Sequence, residues 1–410
     1  MSRFAPTDLS ELRDVVAEAL TAGEPLEVLA GGSKRGLGRP LQLPRSLKLS
    51  RLFGIRDYQP KELVLTVGAA TPIGEIEATL AAAGQMLAFE PPDWGTLHGL
   101  PSTTAGRRTL GGVLASNLSG PRRINAGAAR DHFLGFRGVS GRGEIFKAGG
   151  KVVKNVTGYD LCKLMAGSYG TLAALEEVTV KVLPQPEAVS TVMLCGLDAA
   201  AAVHHLCRAL GSPYEVSGAA YIPAPLTPGL SSLHGLTAVA ALRLEGHSPS
   251  VMFRRERLLA ELGNDCEAVS VDDELSIAFW RAIRDALPLA GLGDRTIWRV
   301  SVAPSRGAEL GEAIARRLDA SWYLDWAGGL VWVAITGAED GGAAVIRAAV
   351  RGADGRGSGH ATLIAGSPEL RRSVPVFEPQ PPALATLTGR IKESFDPCRI
   401  LNPGRMVEEG

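Results

Sequence analysis

The sequence predicts an α+β fold divided into two or three domains, and three observations carry that prediction. At 410 residues the chain exceeds one ordinary domain, and with 45% apolar and 21% charged residues it can form more than one packed core. Segments rich in β-branched residues, of which LAALEEVTVKVL at 172–183 is the plainest, alternate with segments of helical period. Beyond residue 188 a β-α-β-β pattern occurs twice, the signature of a ferredoxin-like unit built on one antiparallel sheet.

The elements follow in order. Asp8 and Glu11 have capping-box spacing, and Leu9, Leu12, Val15, Val16, Ala19 and Leu20 form one apolar helical face that Gly23 ends. Residues 26–30 form a short strand entering a glycine loop. Residues 63–67 form another, followed by a helix with Thr71 as cap, Pro72 in its first turn and Gly84 just past its end. Residues 133–148 read as two strands around Ser140-Gly141-Arg142-Gly143, and a helix over about 158–166 leads into the strand at 172–183. QPEA at 185–188 marks a boundary. The first β-α-β-β copy has strands near 189–195, 214–222 and 236–244 with a helix at 198–210. The second has a strand at 298–302, a helix at 308–318 and a hairpin at 322–335 that turns at Gly328-Gly329. The chain ends in a helix and a turn-rich tail, FDPCRILNPGRM, so the expected domains are 1–186, 187–380 and 381–410.

Three loops could carry chemistry. AGGSKRGLGRP at 30–40 holds four glycines within 31–38, flanked by Lys34, Arg35 and Arg39, which suits backbone N–H groups converging on a pyrophosphate. It is not a Walker loop, because Leu37-Gly38 stands where Lys-Ser/Thr is needed, nor a Rossmann fingerprint, because GxGxxG is absent. A mobile basic surface loop is the competing reading. At 103–123, Thr109-Leu110-Gly111-Gly112 opens a short helix of small residues that includes Ser116 and Asn117, against which a ligand or a neighbouring strand could pack. At 154–184, Thr157 and Asp160 have capping-box spacing, and Gly167-Ser168-Tyr169-Gly170 turns the chain into the next strand. Residues 100–165 hold eleven Lys or Arg against three Asp or Glu in a chain of zero formal net charge, which favours an anionic ligand or partner there.

Other classes are disfavoured. A neutral chain is no generic nucleic-acid or anionic-membrane binder. Cys162, Cys195, Cys207, Cys266 and Cys398 are scattered and odd in number, which argues against a disulfide framework, a zinc site or a complete iron–sulfur site. No run of 18 apolar residues and no signal-peptide core are visible, so a soluble cytoplasmic protein is expected, and the glycosylation-like triplets at Asn117 and Asn155 carry no weight.

Taken together, the glycine loop 31–38, TLGG at 109–112, the GYD-to-GSYG segment at 158–170 and the ending FDPCRILNPGRM resemble the vanillyl-alcohol-oxidase/PCMH-type FAD-binding flavoproteins. SGPRR at 119–123, KNVTGYDLCKLMAGSYGTL at 154–172 and NPGRM at 402–406 are similar to the flavin-binding subunits of bacterial glycolate oxidases within that family. The resemblance implies a PCMH-type FAD-binding domain of two α+β subdomains and a cap over the flavin; no His or Cys beside these loops can be assigned to a flavin linkage, so non-covalent FAD is expected. It implies that Gly31, Gly32, Ser33, Lys34, Arg35, Gly36, Leu37 and Gly38 hold the pyrophosphate. Thr109, Gly111, Gly112, Ser116 and Asn117 would lie along the flavin, with Gly167, Ser168 and Asn402 close by. It further implies a small 2-hydroxy acid substrate, glycolate or D-lactate, a larger FAD-binding partner subunit, an iron–sulfur subunit, and through that assembly a peripheral place at the inner membrane.

The chain also departs from the family. Related dehydrogenases carry a His-x6-His metal pair, a Glu and a neighbouring catalytic His, and none of the seven histidines here has that spacing, so no metal is expected. The catalytic base is therefore unassigned. FWRAIRDA at 279–286 resembles the region whose arginine binds the substrate acid in relatives, making Arg284 a candidate and Arg281 its rival; Arg299 and His360 are the others. Each could equally be structural. A self-sufficient FAD-dependent 2-hydroxyacid dehydrogenase and a non-catalytic flavoprotein scaffold are the alternative functions.

Overall fold

The computed structural model describes residues 2–100, 107–151, 158–230, 237–263, 266–293, 295–352 and 357–408. Near the N-terminus a small parallel sheet joins β1 (Ser2–Phe4), β2 (Leu26–Leu29) and β3 (Arg45–Lys48) in the order β1-β3-β2. The helix Leu9–Ala22 covers it, burying Leu12, Val16 and Ala19 against Leu26 and Leu47. Asp8 accepts the Glu11 N–H at 2.9 Å, and Gly23 ends the helix at φ 64°, where a side chain would be strained.

The second sheet is antiparallel and takes β4 (Ile55–Gln59), β5 (Val64–Gly68), β7 (Phe133–Ser140), β8 (Ile145–Gly149) and β9 (Ala173–Lys181) in the order β4-β5-β9-β7-β8; β6 (Gln85–Met86) pairs with β10 (Leu183–Pro184) beside it. Two local expectations are corrected. Thr71 does not cap the helix Ile73–Ala82: Pro72 occupies that position, while the Thr71 hydroxyl donates to Gly68 O at 2.6 Å and accepts the Gly54 N–H at 2.9 Å. The helix expected from residue 158 begins later, at Leu161–Met165, where Asp160 accepts the Lys163 N–H at 3.1 Å. Thr157 and the Asn155 triplet lie outside the described residues, as do residues 103–106 of the second loop.

The cap is one eight-stranded antiparallel sheet. Its strands are β11 (Ala188–Cys195), β12 (Gly218–Ile222), β13 (Val239–Gly246), β14 (Glu267–Asp272), β15 (Thr296–Val302), β16 (Ala320–Asp325), β17 (Leu330–Ile335) and β18 (Gly359–Ala365). The order β14-β11-β13-β12-β16-β17-β15-β18 consists of two β-α-β-β-α-β units joined where Tyr221 of β12 faces Leu324 of β16. Each four-element copy read from sequence is thus completed by a further helix and edge strand. Helices Ala199–Leu210, Ser248–Leu262, Gly307–Ala315 and Ala343–Arg351 cover one face of this sheet. The other face packs on the first half of the chain, with Trp332 meeting Trp94 edge-on at 5.2 Å. Among the described residues no helix is long and apolar enough to cross a membrane.

The tail returns to the start. After the helix Pro382–Phe395, fully buried Asp396 accepts the N–H groups of Ile400 and Leu401 at 2.8 Å each and pairs with Lys392 at 2.6 Å. That turn delivers Leu401 to a parallel bridge with Leu26, so the last residues extend the sheet from which the glycine loop springs.

Candidate cofactor and substrate site

A cleft of about 770 Å³, counting its open mouth, lies between the end of β2 with its glycine loop, the helix Leu110–Ser116, the turn at Tyr169-Gly170 and the tail. Val28, Leu29, Ala69, Ala115, Ala173 and Leu175 give it an apolar lining. The close approach of these elements depends on glycine. A Cβ on Gly31 would stand 1.8 Å from Arg107 O, and one on Gly111 would stand 2.7 Å from Ala69 O. Gly112 differs, because a Cβ there would look toward Lys34 at 3.7 Å.

The polar groups fit an anion. Burial, helped by the neighbouring Arg108 charge, lowers the Lys34 ammonium to about 8, and Asp93 only partly offsets this. Its Nζ makes one long contact, 3.4 Å to Ser33 Oγ. Within the loop the N–H groups of Arg35 and Leu37 bond to Gly32 O and Lys34 O, whereas those of Gly32, Ser33 and Lys34 have no acceptor among the described residues. Thr109 caps the adjacent helix, accepting the Gly112 N–H at 3.3 Å. A cation without a salt bridge among the described residues, beside free N–H donors, suits a pyrophosphate, and the apolar walls suit a flat heterocycle.

Of the residues singled out from sequence, Gly31, Gly32, Ser33, Lys34 and Arg35 line this cleft, and so do Thr109, Gly111, Gly112, Ser116 and Asn402. Asn402 also ties the site together. Its Oδ1 accepts the Val28 N–H at 2.8 Å and its Nδ2 donates to Tyr169 O at 2.9 Å. The others sit outside the lining. Gly36 backs onto the His98 ring, Leu37 is in the core and Gly38 lies under Arg405. Asn117 ends its helix at φ 48° and accepts the Arg130 N–H at 3.1 Å, while Gly167 and Ser168 line a separate groove with Phe377 and Ile391. Sequence reasoning missed Tyr169, Arg107 and Arg405 in the cleft, although Tyr169 stands inside the quoted GSYG turn and Arg405 inside NPGRM.

The substrate candidates separate clearly. Arg284 is engaged by Asp285 through Nε and Nη2 at 2.8 and 2.7 Å, and Asp285 in turn accepts the Asp93 N–H at 2.7 Å. Arg281 is exposed, on the helix Asp273–Arg284 that also carries Arg284. Arg299 on β15 lies over the Trp326 ring at 4.8 Å, and Arg123 lies over the same ring at 4.4 Å. Neither has an ion pair among the described residues, and the buried Arg299 Nε has no hydrogen-bond partner. Burial and the like charge of Arg123 lower Arg299 to about 10. Burial, then Arg299 and Arg123, hold the His360 imidazole below its ordinary value, which keeps it neutral near pH 7. Arg299, Ser301, His360 and Thr362 share the sheet face turned toward the first half of the chain, since Arg299 pairs with Thr362 and Ser301 with His360. The phenol of Tyr169 connects the two places, for Tyr169 lines the cleft and interacts electrostatically with Arg299. Among the described residues no three His, Cys, Asp or Glu gather as a metal site.

Residues 3–149 match a family model described as an FAD binding domain. Glycolate oxidase subunit GlcE of Escherichia coli is 35% identical over 399 residues, covering 97% of each chain. The chain belongs to this PCMH-type FAD-binding family, in the branch that holds GlcE. Glycolate oxidase subunit GlcD of Bacillus subtilis is 39% identical over 115 residues, 28% of this chain and 23% of that one. Among solved structures, p-cresol methylhydroxylase with substrate bound superposes with a TM-score of 0.73 at 15% identity, covering 98% of this chain and 88% of that one, and shares its fold. Membership in the family makes FAD the cofactor and the chain an oxidoreductase.

Proposed function

We propose that the protein is the FAD-binding subunit of a glycolate oxidase assembly that converts a small 2-hydroxy acid, glycolate or D-lactate, to the 2-oxo acid. Residues 1–186 would hold the cofactor, 187–380 cover it and 381–410 return to it. FAD, when bound, supplies the acceptor for the two electrons that leave C2 with its hydrogen. The chain's own residues do the rest. Lys34 and the N–H groups of Gly32, Ser33 and Lys34 hold the pyrophosphate, without a covalent link. Arg299, with Arg123 against the same Trp326 ring, receives the substrate carboxylate, and neutral His360 is the group able to take the hydroxyl proton. The observation that carries this reading is the pair Arg123 and Arg299 against one Trp326 ring, two guanidiniums without a salt bridge among the described residues, beside a residue that lines the cofactor cleft.

The assembly is supported by the name of the Escherichia coli relative and by the shared segment with the larger GlcD subunit. An iron–sulfur subunit would carry electrons onward, and peripheral attachment at the inner membrane would come through the assembly. The test is titration of the flavin-loaded chain with oxalate, a dicarboxylate mimic of the product, followed by flavin absorbance. The wild-type spectrum should shift and Arg299→Met should abolish the shift; an equal shift in Arg299→Met refutes the carboxylate site.

A further inference from the structure

Next to the cofactor cleft, and sharing Gly31, Gly32 and Arg35 with it, lies a wider space in which the cap meets the glycine loop through Arg371. Arg371, on the short helix Pro368–Ser373, donates from Nη1 to Gly36 O and Gly38 O at 3.0 Å each, with Arg35 O at 3.4 Å. The residue is 8% exposed, and it lines this adjoining space rather than the cleft that Thr109 and Gly112 face. From the tail, Arg405 adds donors to Arg39 O at 3.2 Å and Lys34 O at 3.4 Å.

A buried carbonyl without a donor bears the full cost of its desolvation, so a loop segment that turns several carbonyls to one place needs a donor there. The loop divides along its length: the N–H groups of Gly32, Ser33 and Lys34 have no acceptor among the described residues, while in the segment that follows the carbonyls of Arg35, Gly36 and Gly38 converge on one guanidinium. A planar, permanently charged group with several donors suits three carbonyls at once, which a lysine ammonium does less well. The His98 ring fixes the same stretch, since a Cβ on Gly36 would stand 2.4 Å from its Nδ1.

We propose that Arg371 is a positioning residue for the FAD pyrophosphate, holding loop 35–38 with its carbonyls turned from the cleft. Docking of the cap helix Pro368–Ser373 then sets cofactor affinity from outside the cofactor's contact shell. The inference rests on the reading that this cleft holds FAD.

The experiment strips the flavin, titrates FAD back into wild type, Arg371→Ala, Arg371→Lys and Arg372→Ala while following flavin fluorescence, and melts all four flavin-free forms. Arg371→Ala should weaken the Kd by about tenfold or more, and Arg371→Lys by less. Arg372→Ala, which loses only an exposed pair with Glu369 at 3.6 Å, should match wild type. The flavin-free melting temperature should fall by less than the flavin-loaded one in Arg371→Ala and Arg371→Lys, and should not change in Arg372→Ala. A wild-type Kd in Arg371→Ala overturns the proposal, and so does a flavin-free melting temperature that falls as far as the loaded one. Should Arg371→Ala fail to fold, Arg371→Lys decides: a severalfold weaker Kd supports the proposal and an unchanged one overturns it. Failure of the wild-type chain to take up FAD would instead overturn the cofactor reading.

Discussion

Arg243 on β13 donates to both carboxylate oxygens of Glu90, at 2.8 and 3.2 Å, across the junction between the cap and the first half of the chain. Arg122 closes the network, pairing with Glu90 at 3.2 Å and with Glu245 at 2.6 Å. All four side chains are nearly or wholly buried, and Arg243 also lies over the Trp280 ring at 4.7 Å. A buried quartet of this kind adds little over an apolar junction, but losing one member strands the others. Arg243→Ala should therefore cost about 3–5 kcal/mol of stability, read as a lower denaturant midpoint with the cap and flavin domain melting together.

The same network predicts an acid limit. Burial alone would raise both carboxyls, yet Arg243 and Arg122 bring Glu245 down to about 2 and hold Glu90 below its ordinary value. A depressed folded-state pKa contributes stability that is present above the unfolded value, about 4.3 for Glu, and is lost as pH falls through the folded value. Melting temperature should hold down to about pH 5 and then drop steeply. Glu90→Gln should lower the plateau and flatten that drop; an unchanged acid limb would assign the limit to other groups.

The two neighbouring glycines of the TLGG turn should behave differently. A Cβ on Gly111 meets Ala69 backbone at 2.7 Å, so Gly111→Ala should lower the melting temperature even of flavin-free protein. At Gly112 the nearest atoms are Thr109 Oγ1 at 3.1 Å and Lys34 Nζ at 3.7 Å, on the cleft side. Gly112→Ala should weaken FAD binding with little change in the flavin-free melt. Identical behaviour of the two variants would show that both glycines serve packing alone.

FAD retention should depend on pH through Lys34. The buried ammonium of the free protein titrates at about 8, and a bound pyrophosphate favours its charged form, so affinity is full below pH 8 and declines as pH rises through it. The Kd measured on both sides of pH 8 should show this decline, and Lys34→Met should bind more weakly with a flatter profile. A wild-type Kd that does not change across pH 8 counts against Lys34 as the phosphate cation.

Much of this architecture is legible in sequence because it rests on local signals. Alternating β-branched residues mark β9, and the Asp8 cap with the Gly23 stop brackets the first helix. Two of the missed pieces of the cap, β14 and the helix Ser248–Leu262, have weak signals: β14 is a half-exposed edge strand and the helix carries the charged run RRER. At the site, glycine spacing marks the loops but cannot say which glycine faces ligand and which faces backbone, as Gly111 and Gly112 illustrate. Arg284 and Arg299 look alike in sequence. Only the three-dimensional contacts pair Arg284 with a carboxylate at 2.7 Å and leave Arg299 Nε without a hydrogen-bond partner.

The flavin should leave with denaturation. His98 is the histidine that packs against the glycine loop, but it touches Gly36 from behind, and burial with the charges of Arg371 and Lys34 lowers its imidazole to about 4. Acid precipitation should release all the yellow colour into the supernatant; colour remaining in the pellet would establish a covalent link.

The isolated, flavin-loaded chain should bind the substrate acid yet turn it over slowly. Binding needs Arg299 and Arg123, neither in a salt bridge among the described residues, and the single chain provides both. Removal of hydride from C2 also needs the hydroxyl proton to leave, and His360, the imidazole on that sheet face, sits beside two guanidiniums that oppose its protonation. Among the described residues no cluster of ligating side chains is present to hold a cation that would lower the hydroxyl's own pKa. Oxalate should therefore perturb the flavin spectrum of the single chain, while steady-state oxidation of glycolate with an artificial electron acceptor stays far below that of the assembly. Addition of the larger flavin subunit and the iron–sulfur subunit should restore the rate. Turnover by the single chain equal to that of the assembly would make it a self-sufficient dehydrogenase, and loss of that turnover in His360→Ala would then identify its base.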